Sequence, residues 1–162
     1  MDNLTELLPI LEKYGAKATV FVVPKLLDFN ERYLTTAQLQ ELAASPLIEI
    51  GSHSMSHTDF GQLSPETVRK ELEDSKAALS ELTKKEILSF AYPGGHYSAE
   101  DAKAAAETYE KCFTFSGARQ YLSFYCRDNL LPRISVYRGW SPEHLMDLIR
   151  TARPGRNIPA AY

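Results

Sequence analysis

Apolar residues recur along this chain in two alternating rhythms, one spaced for helices and one compressed into short continuous runs. NLTELLPILEKY (3–14) carries leucine and isoleucine at helical spacing and stops at Gly15, a natural C-terminal cap. ATVFVV (18–23) is β-branched and aromatic, the composition of a buried strand. The spacing then predicts a helix over TTAQLQELAAS (35–45), stopped by Pro46, and a strand at LIEIG (47–51). Ser64 and Pro65 open a helix whose apolar face is Val68, Leu72, Leu79 and Leu82. ILSFAY (87–92), CFTF (112–115) and ISVY (134–137) read as three further strands. An alanine-rich helix from Ser98 to about Glu110, and one from Ser141-Pro142 to about Thr151, complete the series.

Short apolar strands alternating with helices predict a parallel α/β sheet or barrel, in which residues at the C-terminal strand ends build the site. A length of 162 residues suits one domain, taken as residues 1–152, with 153–162 a loosely held tail. The net charge of -3 argues against a nucleic-acid footprint, which needs clustered Lys and Arg. No apolar run is long enough to cross a bilayer, and no signal peptide follows Met1. Cys112 and Cys126 fit two buried thiols, with a single disulfide left open.

Three stretches carry candidate chemistry. In IEIGSHSMSHTDF (48–60), His53 and His57 sit four apart in a turn-forming loop directly after a strand. Two imidazoles so placed suit cis positions on one metal ion; they equally suit polar loop residues satisfied by backbone. In SFAYPGGHYS (89–98), Pro93-Gly94-Gly95 lets the backbone approach a ligand, or forms a plain turn. In LPRIS (131–135), Arg133 enters a strand, either to pair with a carboxylate in the site or as a surface charge. His96 and His144 read as solvated residues, and Asp59 follows His57 too closely for an easy shared metal geometry.

Taken together these stretches resemble the polysaccharide deacetylase family, the NodB homology domain or carbohydrate esterase family 4. ATVFVV resembles the family's ATFFV strand, GSHSMSHTDF its H-[ST]-x-x-H motif, FAYPGG its FAYPYG motif, and LPRIS its later arginine strand. The match runs from about Asn3 to about Ile149 and looks closest to the poly-N-acetylglucosamine deacetylase branch. The resemblance implies a deformed (β/α) barrel and a metal-dependent hydrolase, usually with zinc, acting on an N-acetylated or O-acetylated polysaccharide. Such polymers are poly-N-acetylglucosamine-, chitin- or peptidoglycan-like and usually lie outside the cytoplasm. Carried over, His53 and His57 are metal ligands, the Gly94 N–H contributes to the oxyanion hole, and Arg133 holds the catalytic carboxylate ionised. Tyr92, Pro93 and Gly95 would then line the substrate.

One motif of the resemblance is missing. The family opens on a TFDDG-like first strand, supplying a general base and the third metal ligand, whereas this chain contains no Asp-Asp pair. The reading is therefore a barrel missing its first strand, with no leucine-histidine motif near the C-terminus to act as acid. Two histidines alone should bind zinc weakly, and the missing base removes a contribution of ~10²–10⁴-fold. A poor deacetylase is the expectation; a non-catalytic carbohydrate-binding domain on the same barrel is the alternative.

Overall fold

The computed structural model describes residues 3–115, 130–133 and 135–151. Cys126 and the tail at 153–162 lie outside these residues. Among the described residues five strands form one parallel sheet in sequential order: Ala18–Val22 (β1), Ile48–Ser52 (β2), Ser89–Ala91 (β3), Lys111–Phe115 (β4) and Leu130–Arg133 (β5). The helices between and around them are Leu8–Tyr14 (α1), Thr36–Ala44 (α2), Pro65–Thr83 (α3), Ala99–Thr108 (α4) and Pro142–Thr151 (α5).

Local sequence explains most boundaries. Asn3–Leu7 forms a π-helical turn before α1, because Pro9 has no N–H to extend a regular helical ladder backwards. Gly15 closes α1 at φ 61°, in the left-handed region that glycine enters without strain. Thr35 with Gln38, and Ser98 with Asp101, form capping boxes that satisfy the first amides of α2 and α4. Ser64 accepts from Thr67 N to cap α3.

The last strand departs from the sequence expectation. It occupies Leu130–Arg133 instead of 134–137; Ser135–Tyr137 has no regular structure and Ile134 lies outside the described residues. Cys112 pairs with Leu130 and Phe115 with Arg133 across β4 and β5. Pro132 breaks the strand signal in the sequence, yet an edge strand tolerates a residue without an N–H.

Alternation within the strands sorts two faces. Ile48, Ile50 and Phe90 are buried, and with Leu39, Leu42, Val68, Leu72, Leu79 and Tyr109 they form the core beneath α2, α3 and α4. On the opposite face Thr19 hydrogen-bonds Glu49, and Phe21 meets both Phe113 and Arg133. A flat sheet would hold β1 and β5 about 19 Å apart, four spacings of about 4.8 Å. Arg133 nevertheless stands 5.2 Å from the Phe21 ring centre, so the sheet curls toward this face as a partial (β/α) barrel.

Candidate functional site

His53 extends β2 by one step, its N–H donating to Val22 O at 2.9 Å. That bond places its ring at the C-terminal end of the sheet. His53 Nδ1 lies 2.6 Å from Ala91 O. A carbonyl only accepts, so Nδ1 carries the proton and Nε2 keeps its lone pair for a ligand. Burial holds the His53 pKa below the ordinary imidazole value, and the nearby His57 and Arg133 push the same way against the Ala91 hydrogen bond. The neutral, ligating form is the one favoured.

The chain then turns sharply. Ser54 and His57 both take φ 65°, and Ser54 Oγ accepts the His57 N–H at 2.9 Å. The turn returns the two rings to an edge-to-face arrangement with centroids 4.9 Å apart. Both rings line a cavity of about 330 Å³ that also meets Val20, Phe21, Arg32 and Tyr33 along β1 and the loop after it.

The Pro93–Gly95 turn follows β3 at the same end of the sheet. Gly94 sits exposed at φ 63°, while Gly95 donates back to Tyr92 O at 3.2 Å and is buried with Pro93. Tyr92 is a correction to the substrate-lining expectation. Its side chain is 1% exposed, packed on Phe90, Phe60 and Tyr97, so it belongs to the core. Alternation along β3 explains this, since Tyr92 shares the helix-facing side with Phe90.

Arg133 lies half-buried on the inner face, Nε donating to Thr114 O at 3.2 Å, and burial lowers its pKa. Among the described residues it has no carboxylate partner. Asp59 is engaged by other partners: its Oδ1 accepts from Gly61 N at 2.9 Å and its Oδ2 meets His96 Nδ1 at 3.0 Å. The Gly61 N–H, then His96, hold its pKa below the usual carboxylate range. His96 is thus exposed but paired, and His144 is exposed beside Trp140.

The donor chemistry of His53 and His57 fits two positions of a zinc-type centre. Among the described residues no group of three His, Cys, Asp or Glu side chains could hold a metal ion. Sequence reasoning missed two sets of neighbours: Arg32 and Tyr33 lining the cavity, and Glu71 behind the histidine loop. Only the position of Glu71, three residues from Val68 on the buried side of α3, hinted at the second.

The polysaccharide deacetylase family profile matches residues 1–110. The putative polysaccharide deacetylase YxkH of Bacillus subtilis (strain 168) is 35% identical over 107 residues, covering 66% of this chain and 38% of that protein. The Streptococcus pyogenes deacetylase PplD, solved in complex with acetate, superposes with a TM-score of 0.75 at 29% identity, covering 90% of this chain and 64% of that one. The polysaccharide deacetylase BC0361 of Bacillus cereus superposes at 0.79 with 21% identity, covering 92% and 48%. The chain thus spans well under two thirds of YxkH and just under two thirds of PplD. With the family profile covering more than half of its residues and the barrel strands in place, the chain belongs to the polysaccharide deacetylase family.

Proposed function

We propose that this chain contributes two metal ligands, His53 and His57, to a hydrolase that removes acetyl groups from an N-acetylated polysaccharide outside the cytoplasm. The observation that carries this is the ring pair, 4.9 Å apart, lining the cavity beside β1, with His53 held in the tautomer that leaves Nε2 to ligate. A bound zinc would supply Lewis acidity toward an acetyl carbonyl and its attacking water. Other residues of the chain would supply further parts of the site. Gly94, exposed in the turn after β3, offers a backbone N–H to a developing oxyanion. Arg133 supplies positive charge on the inner face, and Arg32 with Tyr33 forms a polar and aromatic rim for a sugar.

The test is acetate release from N-acetylglucosamine oligomers, with and without chelator, together with calorimetric titration of zinc. Zinc binding lost in His53→Ala and His57→Ala is the expected result, with acetate release weak and chelator-sensitive because the chain contains no Asp-Asp pair to supply the base. Absence of both acetate release and zinc binding would overturn the reading. A second reading, a glycan-binding domain without catalysis, draws on the lack of a carboxylate beside the histidines among the described residues. Glycan binding that survives both histidine substitutions favours it; absence of binding removes it.

A further inference from the structure

The loop between His53 and His57 holds two non-glycine residues, Ser54 and His57, in the left-handed region at φ 65°. Each such residue costs on the order of 1–3 kcal/mol and persists only where its surroundings over-determine it. The bond from His57 N to Ser54 Oγ closes the turn from within. From outside, one carboxylate gathers three of the donors that lie between the histidines. Glu71 Oε2 accepts from Met55 N at 2.9 Å and from Ser56 N at 2.8 Å. Its Oε1 accepts from Ser56 Oγ at 2.8 Å. Glu71 lies on α3 between Val68 and Leu72, both buried in the core, so the anchor itself is rigid. Charge-assisted bonds of this kind are about twice as strong as neutral ones. The opposite side of the loop is tied by Lys25 N donating to Met55 O at 3.1 Å.

We propose that Glu71 is a positioning residue: without touching a ligand, it fixes the separation and relative orientation of the His53 and His57 rings. Its effect on metal binding rests on the reading of those rings as a metal pair; its effect on the loop does not.

Two readouts separate the claims. Amide hydrogen exchange in the metal-free chain follows Met55 and Ser56, with Ile50 of β2 as the internal control. In Glu71→Ala, exchange at Met55 and Ser56 should accelerate at least tenfold while Ile50 is unchanged; unchanged protection at Met55 and Ser56 overturns the proposal. Zinc titration should show affinity weakened by about 10–100-fold in Glu71→Ala, the usual loss for groups that orient metal ligands. Glu71→Gln should recover most of that affinity, because its amide oxygen can still accept both backbone N–H groups. It also serves as the readable variant if Glu71→Ala does not fold: its loop protection should then lie between wild type and unprotected. Equal zinc affinity in wild type and Glu71→Ala overturns the proposal. Should the wild-type chain bind no zinc, the metal reading fails by itself, and amide exchange alone decides the role of Glu71.

Discussion

The Arg133 guanidinium stands 5.2 Å from the centre of the Phe21 ring, although the two residues belong to the opposite edge strands β5 and β1. Phe113 meets the same ring edge-on at 5.4 Å. The inner face is therefore braced across the open side of the curled sheet by one aromatic ring and one cation. Desolvated cation–π contacts reach about 2 kcal/mol, and the arginine stem adds apolar contact. Arg133→Ala should lower the unfolding free energy by about 1–2 kcal/mol in urea titrations. The loss should shrink in a Phe21→Leu background. Equal losses in the two backgrounds would show that the contact is not a brace.

Gly51 is where the same ring finds room. A Cβ at that position would lie 2.7 Å from Phe21 Cδ1 and Cε1, and 3.1 Å from Ser89 O. The carbonyl belongs to β3 and cannot yield cheaply, so the ring must move. Gly51→Ala should cost about 1–3 kcal/mol, the usual penalty for overpacking. Combining it with Phe21→Ala should recover part of that cost, and a strictly additive double mutant would sink the steric account.

The alternation of strands and helices was legible because β2, α3 and α4 follow their periodicity closely, with caps at Ser64 and Ser98 where turn chemistry demands them. The histidine pair was legible as a pattern, but not as a geometry. Whether His53 and His57 meet depends on left-handed turns at Ser54 and His57, which residue identity does not announce. Tyr92 misled for a related reason. Its place beside Pro93-Gly94-Gly95 suggested the site, while alternation from Phe90 turned its ring into the core. The displacement of β5 came from Pro132, which argues against a strand everywhere except at an edge. Glu71 was only hinted at by its place on the buried side of α3, because its partners lie sixteen and fifteen residues earlier.

A buried hydroxyl network supports the strand end that carries His53. Ser52 Oγ donates to Ser75 Oγ at 2.8 Å, Ser75 Oγ lies 3.0 Å from Tyr109 Oη, and Tyr109 Oη donates to Leu72 O at 2.9 Å. Ser52 and Ser75 are both fully buried. Ser75→Ala removes the acceptor for Ser52, so it should destabilise by about 1–3 kcal/mol, the cost of a buried polar group left unpaired. Ser52→Ala added to Ser75→Ala should then cost less than the sum of the two singles. Additive losses in denaturant titrations would remove the coupling.

The same neighbourhood predicts a loss of stability in alkali. Burial pushes the Cys112 thiol from 9.0 up to about 11, with the neighbouring Tyr92 hydroxyl working the other way. Burial likewise raises Tyr109 from 10.0 to about 12, opposed by its bonds to Ser52 and Ser75. A group whose pKa rises on folding holds its proton more tightly in the folded state. Its stabilisation is complete below the unfolded value and lost as the pH climbs through the folded one. The Cys112 contribution should therefore fade between pH 9.0 and about 11, and that of Tyr109 between 10.0 and about 12. Urea midpoints should hold up to about pH 9 and then fall, and Cys112→Ala should flatten the first part of that fall. A wild-type midpoint that stays level from pH 9.0 to about 11 would show that neither burial is felt by the thiol nor paid back on unfolding.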